Sequence, residues 1–538
     1  MTSLKRIFGR KDVYYACFVL AILLKLGLYL HFFQLEGDKL FQAIGGKNLV
    51  EGNGLTFEQV HAWDLSTSVF QPLDRWPPGF SLLLAPFYAL THNVEISCLV
   101  IDFISIVFFF VVLGKLLHKI NLPVFVISLL LLYNGAVMGA FISKPTDFPA
   151  AALILYTLYL TLTFTENTGA KPLRFGIVLG LVNSLPLLLR YMYLPCVFVV
   201  PLILIWAGYT RKEKRISSGG LTALVTTCVI TIAVLFFQKT YTGQASYIFL
   251  SGRRFYPENL LEFYPFITAS FVDINFVLLQ LGKLSGASYM TMFESARILD
   301  FLLLAILMVM FLKFVIKRFA LQDSWDVFIT VTGVLGILIC GTLSYLSLTN
   351  DPASTLFTDG LSWTFVAEPR FFLLLMIVLP LIAAHYLFKS GDSRSTSSFK
   401  KAGRGLFYCL VFFQVLHTGY FLAKRFYPLG LTGDNVLITS PVKSYLEQKI
   451  QKMKETGADV VMTSNNETVS NWATLNGEKG ILNIEELNSF GLSAKRPTVL
   501  LVLIEDQMLP QYRAMLDQKN IRFEKRIGKL SVFSLKID

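Results

Sequence analysis

The side chains that could carry chemistry in this sequence are acids and arginines at the ends of apolar runs. Asp38 follows the first of these runs, and Asp147 directly precedes the fourth. A carboxylate in such a place can accept a proton, but Asp is also a common residue at the N-cap of a helix. Arginines occupy comparable places at Arg190, Arg253, Arg254 and Arg370. A guanidinium there can hold a phosphate through two hydrogen bonds, or it can be an interfacial anchor whose head reaches into water.

The apolar runs that these residues flank are long enough to cross a membrane. The 538-residue chain is 54% hydrophobic and only 16% charged, with a mean hydropathy of +0.57, whereas a soluble globular chain has about 25% charged residues. Each run has roughly 17 to 25 residues, enough to span the hydrocarbon core as a helix. The runs lie near 13–33, 93–113, 122–142, 148–164, 173–189, 192–208, 219–237, 298–316, 326–348, 370–388 and 405–423. They predict an all-α polytopic membrane domain with about eleven transmembrane helices and argue against a water-soluble enzyme.

The distribution of basic residues predicts the orientation of these helices. The formal net charge is +12, and its basic clusters fall in alternate loops, at 115–119, 171–174, 211–215, 313–318 and 389–404. Acidic residues such as Asp74 and Asp351 fall in the other loops. Because basic loops stay on the cytoplasmic side, the N-terminus is predicted inside and the C-terminus outside. Membrane topology thus explains the charge, and no nucleic-acid partner is predicted.

Residues 428–538 differ in composition from the apolar domain of residues 1–427. Their pattern predicts a helix from Ser440-Pro441 to about 455, strands at 460–462 and 498–504, a helix at 508–519, and a hairpin at 523–537 that turns at Gly528-Lys529. We therefore expect a small α/β domain outside the cytoplasm.

Three predicted outer segments, 34–92, 238–297 and 349–369, are longer than a simple connection requires, and long loops of this kind often carry function. In the first, a short amphipathic helix is expected to begin at Asp38 and to place Leu40, Ala43, Ile44 and Val50 toward the membrane. Pro78 is expected to begin a second helix, with residues 80–84 along the interface, unless the Pro-Pro-Gly is only a loop breaker.

The first of these segments also has an ordered motif. An acid just after the helix is followed by small and apolar residues, and then by an aromatic residue, two prolines and a glycine. The residues are Asp38, Ala43, Leu49, Gly52, Gly54, Trp76, Pro77, Pro78 and Gly79. Later outer turns read Ser143-Lys144-Pro145-Thr146-Asp147, Leu189-Arg190-Tyr191-Met192-Tyr193-Leu194-Pro195 and Glu368-Pro369-Arg370-Phe371-Phe372. In their order, their spacing and the predicted side of the membrane, these motifs resemble those of the GT-C superfamily of integral-membrane glycosyltransferases. This superfamily includes the protein mannosyltransferases and the lipid A aminoarabinose transferases.

Two positions depart from the pattern of that superfamily. Protein mannosyltransferases carry adjacent Asp-Glu in the first loop, whereas this chain has Asp38-Lys39, which argues against protein O-mannosylation. At the second outer turn Lys144 replaces the usual acid, and Asp147 stands three residues later. Either residue could take the role of that acid.

The resemblance implies an inverting glycosyltransferase that moves a sugar from a polyprenyl-phosphate donor to a lipid, glycan or protein acceptor on the extracytoplasmic side. Asp38 would then be the general base, and Asp147 would support it or bind the sugar. Phosphate would be held by Arg370 with Arg253 or Arg254. The other expected substrate-binding residues are Lys144, Arg190, Glu368 and Trp76. An aromatic belt at the membrane surface explains most aromatic residues of the outer loops, and stacking on a sugar face is the alternative for Trp76.

The sequence predicts no metal centre, since its six histidines are scattered. A divalent ion between Asp38 and Asp147 remains an alternative, so the cofactor is left open. The expected location is the inner membrane in a bacterial cell envelope, with the active site facing the periplasm and membrane lipids around it.

Two other functions fit a polytopic chain. One is a transporter or flippase for a lipid-linked sugar, which would be expected to place polar groups near the middle of the membrane and often to have paired halves. The sequence shows charges at the ends of the spans and no repeat, which favours the transferase. The other is a membrane scaffold that displays the domain at 428–538.

Overall fold

The computed structural model describes most of the chain. The described residues are 11–31, 37–74, 76–137, 146–246, 254–257, 285–286, 321–349, 373–388, 398–426, 440–466, 478–481 and 484–537. The predicted span at 298–316 lies outside them.

Twelve helices precede the C-terminal region in these described ranges. They are α1 (Lys11–His31), α2 (Gly37–Val50), α3 (Gly79–Thr91), α4 (Val94–Lys119), α5 (Val124–Ala136), α6 (Asp147–Glu166), α7 (Pro172–Leu189), α8 (Val199–Thr210), α9 (Lys214–Thr242), α10 (Ser324–Leu348), α11 (Leu373–Phe388) and α12 (Ser398–Phe426). Six of them, namely α1, α4, α6, α7, α9 and α10, are long and apolar enough to cross a membrane. The protein is therefore a helical integral membrane protein, while the count of eleven spans and the orientation stay predictions.

One predicted span is not a single helix. The run at 192–208 begins inside a 3₁₀ turn at Tyr191–Tyr193, which is followed by a second at Cys196–Phe198. The α-helix begins only at Val199. Pro195 lies between the two turns and has no N–H to donate. The prediction of a continuous helix from 192 is therefore wrong.

The chain folds into two compact units, each assembled from separate stretches of sequence. The first contains Met1–Phe33, Asp74–Pro77 and Asp102–Ala423, and the second contains Gln34–Leu73, Pro78–Ile101 and Lys424–Asp538. The second unit thus combines parts of the first long loop with the C-terminal region. The predicted domain boundary at 427/428 remains a prediction.

Glycines let the helices of the first unit approach closely. A Cβ at Gly180 of α7 would lie 2.7 Å from the Ala223 carbonyl oxygen of α9, and a Cβ at Gly135 of α5 would lie 2.6 Å from the Ala21 backbone of α1. Membrane helices often pack through small residues of this kind, because lipid supplies no hydrophobic force between them.

The C-terminal region is a five-stranded mixed sheet with helices. Its elements are α13 (Ser440–Glu455), β3 (Asp459–Ser464), β4 (Lys479–Ile481), a 3₁₀ helix (Ile484–Asn488), β5 (Thr498–Glu505), α14 (Leu509–Gln518), β6 (Arg522–Ile527) and β7 (Leu530–Ile537). The strand order is β4-β3-β5-β7-β6, with β3 parallel to β4 and β5 and the other pairs antiparallel. Every element predicted in this region is confirmed, whereas β4 and the 3₁₀ helix were not predicted.

The two faces of this sheet bury alternate residues of the same strands. Val461 and Leu500 belong to one apolar cluster with Leu516 of α14, while neighbours such as Val460 and Leu501 belong to another, which includes α13. This alternation is the pattern of a sheet covered on both faces.

The first long loop contains an antiparallel hairpin that the sequence analysis missed. It consists of β1 (Thr56–His61) and β2 (Asp64–Pro72). Leu65 N–H donates to the Ser493 carbonyl at 2.9 Å, and Gly491 N–H donates to the Ala62 carbonyl at 3.0 Å. The hairpin is therefore bonded directly to the C-terminal sheet region within the second unit.

Helices α2 and α3 confirm two predicted helices but correct their predicted faces. Leu40, Ala43 and Ile44 do not face a membrane, since each is at most 2% exposed inside the protein. The reason is α3, whose Ser81 hydroxyl donates to the Gln42 carbonyl at 2.7 Å. Helix α3 begins after Pro78 and exposes Leu82 and Leu83 while burying Phe80 and Leu84. Residues 80–84 are therefore divided between a buried and an exposed face.

Candidate functional site

Asp147 and Arg190 form a buried ion pair in the first unit. Asp147 is the first residue of α6, and Arg190 directly follows the last residue of α7. Arg190 Nη1 donates to Asp147 Oδ1. The Asp147 side chain is 1% exposed and that of Arg190 is 12% exposed. The turns that carry them were singled out separately from the sequence, and the structure brings them together.

The ends of the two helices suit these charges. The N-terminus of a helix carries a partial positive charge, which stabilises the Asp147 carboxylate, and the C-terminus carries a partial negative charge, which stabilises the Arg190 guanidinium. The second carboxylate oxygen, Asp147 Oδ2, is buried without a hydrogen-bond partner among the described residues. Such an oxygen is costly to leave unpaired, so it is suited to accept a hydrogen bond from a hydroxyl of a ligand.

Two tyrosines that the sequence analysis did not select lie in the turn after Arg190. Tyr193 is 2% exposed and interacts electrostatically with both Asp147 and Arg190. Burial raises the pKa of Tyr191, and the negative charge of Asp74 raises this pKa further. The Tyr191 hydroxyl therefore keeps its proton at neutral pH, and in the described part of the chain it has no hydrogen-bond partner.

Buried polar side chains also lie within the membrane helices near this site. Lys25 of α1 is 3% exposed and donates to the Val137 carbonyl at 2.6 Å. Its Nζ is 5.9 Å from the centroid of the Phe148 ring, and Phe148 is the neighbour of Asp147. Tyr29, one turn after Lys25, donates to Asp102 of α4. An ionisable residue inside an apolar run was the signal that could have identified both Lys25 and Asp102.

The remaining predicted site residues differ in what the structure says of them. Asp38 is the second residue of α2, and its side chain lies outside the described structure. Trp76 is partly buried in the segment Asp74–Pro77 of the first unit. Arg254 is exposed, two residues before Tyr256, whose N–H donates to the Leu348 carbonyl at 2.7 Å. Outside the described residues lie Lys144, Arg253, Glu368 and Arg370.

The described residues contain no group of three His, Cys, Asp or Glu side chains that could hold a metal ion. Because the Asp38 side chain is not among them, the alternative of an ion between Asp38 and Asp147 stays open. Chemically, the described site offers a carboxylate oxygen that can accept a hydroxyl proton, a guanidinium that can pair with phosphate, and a phenol that can donate.

Fold and site together define an integral membrane protein with a buried acid–arginine pair at the ends of two helices and a C-terminal α/β sheet. Neither a protein-family model nor a curated protein matches the chain. Two solved structures align with it over nearly its whole length. "ArnT from Cupriavidus metallidurans bound to Undecaprenyl phosphate" has a TM-score of 0.47 and 12% identity, and covers 98% of both chains. The same ArnT in the apo state has a TM-score of 0.45 and 11% identity, and covers 97% of both.

ArnT is a lipid A aminoarabinose transferase, one of the classes that the sequence motifs resemble.

Proposed function

We propose that the protein is an inverting glycosyltransferase of the GT-C type, which moves a sugar from a polyprenyl-phosphate donor to an acceptor on the extracytoplasmic side of a bacterial inner membrane. The observation that supports this function is the Asp147–Arg190 pair, in which Asp147 Oδ2 has no hydrogen-bond partner in the part of the chain that the structure describes. The pair joins two turns whose sequences resemble those of the superfamily. Its atoms match what a sugar phosphate offers, namely hydroxyls and an anion.

The reaction is a single displacement. Asp38, as general base, takes the proton of the acceptor hydroxyl, whose oxygen forms a bond to the anomeric carbon from the face opposite the phosphate. The bond between the anomeric carbon and the phosphate oxygen breaks, and the polyprenyl phosphate leaves with the electron pair. Inversion at the anomeric carbon follows from this geometry.

The other residues bind the two parts of the donor. Asp147 binds a sugar hydroxyl through Oδ2 or supports Asp38, while arginines neutralise the charge that develops on the departing phosphate. In this proposal Arg190 holds Asp147 in place and faces the phosphate as well. The further phosphate and sugar contacts come from Lys144, Arg253, Arg254, Arg370, Glu368 and Trp76. A lipid donor also explains why the enzyme is embedded in a membrane, where the polyprenyl tail partitions.

The test uses the purified full-length chain in detergent with polyprenyl monophosphate sugars and a membrane extract as the source of acceptor. The readout is release of polyprenyl phosphate. Loss of general-base catalysis in Asp38→Asn should lower the rate by about 10² to 10⁴-fold, with thermal stability unchanged. Glu95→Gln is the matched control, because Glu95 is an exposed acid in the first turn of α4. An Asp38→Asn protein as active as the control would refute the assignment of the base.

A transporter or flippase for a lipid-linked sugar is the second candidate. Lys25 and Asp102 favour it, since both are buried inside membrane helices rather than at their ends. Transport requires two compartments, so detergent separates the two functions. A protein that consumes no donor in detergent but moves a lipid-linked sugar between the leaflets of vesicles would be the transporter.

A further inference from the structure

A groove of about 520 Å³ lies between α1, α4 and α6 in the first unit. Its rim is formed by Lys115, His118 and Lys119 of α4. These positions are three and four residues apart, so they share one face of the helix. The groove thus combines a row of basic side chains with the surface of a membrane helix.

Of the two lysines on the rim, one has a carboxylate partner among the described residues. Lys119 pairs with Glu166 at 2.6 Å, at the C-terminal end of α6. Lys115 is exposed and has no carboxylate partner in the described structure. His118 is exposed and packs its ring edge-on against Tyr14, with 5.2 Å between the centroids. One uncompensated ammonium beside an imidazole and a phenol makes a site for an anion.

The wall of the groove is apolar and continues away from the rim. Phe18 lies one turn of α1 beyond Tyr14, and Val111 lies one turn of α4 before Lys115. Gly114 keeps the wall close, because a Cβ there would lie 3.3 Å from the Tyr14 hydroxyl and 3.6 Å from Phe18. Val111 is 39% exposed, so the wall is open to the surroundings of the helices.

This groove is separate from the Asp147–Arg190 site. Its rim adjoins Glu166, the last residue of α6, whereas Asp147 is the first, and a helix of 20 residues is about 30 Å long.

We infer that the groove binds an anionic phospholipid, with the lipid phosphate at Lys115 and His118 and an acyl chain along Phe18 and Val111. Basic pockets between transmembrane helices bind acidic lipid head groups, and the predicted cytoplasmic side of this end agrees with that use. A free phosphate would fit the rim alone. The apolar wall below the rim therefore favours a lipid over a soluble anion. The inference does not depend on the proposed transferase activity.

The experiment is native mass spectrometry of the full-length protein in detergent, titrated with phosphatidylglycerol, phosphatidylcholine or glycerol 3-phosphate. We expect phosphatidylglycerol to be retained in preference to the other two. One Lys near an anionic head group contributes a factor of about five in affinity, so Lys115→Gln should weaken phosphatidylglycerol binding by about five-fold. Lys171→Gln, at an exposed lysine of another predicted cytoplasmic loop, is the matched control.

A second variant tests the acyl-chain part of the groove without changing its charge. Val111→Trp should fill the apolar part of the groove and reduce phosphatidylglycerol binding, while all three basic side chains remain. Equal losses in Lys115→Gln and Lys171→Gln would overturn the inference, as would binding of glycerol 3-phosphate as tight as that of the lipid. If Lys115→Gln does not fold, the Val111→Trp variant tests the inference by itself. Unchanged phosphatidylglycerol binding in Val111→Trp would show that the lipid does not bind in the groove.

Discussion

Removing Arg190 separates a structural role of the acid–arginine pair from a catalytic one. The Arg190→Met variant leaves the Asp147 carboxylate 1% exposed. Among the described residues, Oδ2 already has no partner and Oδ1 loses its guanidinium partner. Loss of one partner from a buried pair costs about 3–5 kcal/mol. Arg190 is itself 12% exposed and can reach water more easily, so Asp147→Leu alone should cost less than Arg190→Met.

The double variant Asp147→Leu/Arg190→Met supplies the second half of the test. Replacing a buried ion pair by apolar residues of similar volume is often neutral or stabilising. We therefore expect the double variant to recover most of the stability that Arg190→Met loses. If Asp147 and Arg190 bind the donor, the double variant should still release no polyprenyl phosphate.

The assay is unfolding of the full-length protein in detergent, followed by circular dichroism, with donor consumption measured on the same preparations. Three outcomes would refute the reasoning. If Arg190→Met is as stable as the wild type, loss of Arg190 does not leave a costly unpaired charge at Asp147. Failure of the double variant to regain stability would show that the charges are needed to fold. A stable and active double variant would remove Asp147 and Arg190 from the proposed site.

Two further predictions test the packing, one in each compact unit. In the first unit, Gly180→Ala should destabilise the protein by about 1–3 kcal/mol through overpacking, because the new Cβ would lie 2.6 Å from Thr226. Gly341→Ala is the control, since a Cβ there would meet nothing within 4 Å, and equal melting temperatures for the two variants would contradict the prediction. In the second unit, hydrogen bonds from Ser66 and Thr67 hold the pKa of Asp64 below its ordinary value, so this contribution to stability is complete above about pH 4 and is lost as pH falls through the folded pKa. Asp64→Ala should therefore speed amide exchange at Leu65 and Gly491 at neutral pH while β5 stays protected, and unchanged exchange at Leu65 would show that Asp64 does not hold the hairpin.

Local patterns predicted the C-terminal sheet region well. The run at 498–504 has the length and β-branched content of a buried strand, and Gly528, with a φ of +60°, supplies the turn between β6 and β7. The hairpin at 56–72 was not predicted because it lacks a run of buried apolar residues: of its residues, Val60 and Leu65 belong to the apolar cluster of the sheet. Its partners are distant in sequence, since the Ser493 hydroxyl and the Trp63 carbonyl to which it donates lie 430 positions apart.

The candidate site was predictable as a set of residues but not as an arrangement. Asp147 and Arg190 stood out as charges at the ends of apolar runs, yet nothing in their own turns shows that one bonds the other across 43 positions. Lys25 and Asp102 were passed over for a different reason. A single charge hardly changes the mean hydropathy of a twenty-residue run, although its cost inside a membrane makes it the more informative signal.

Along α4 the polar side chains differ in how deeply they are buried. Along α4 the order is Asp102, which accepts from Tyr29, then Phe109, whose ring lies 4.7 Å from that of Phe148, and then Lys119, which pairs with Glu166. The Lys119 and Glu166 side chains are 29% and 40% exposed, whereas Asp102 is only 6% exposed. Water screens the charges at the Lys119 end, so an interaction there contributes little to stability. Around Asp102 the side chains are withdrawn from water, where hydrogen bonds and charges act more strongly, so the stronger electrostatic interactions along α4 are on the Asp102 side.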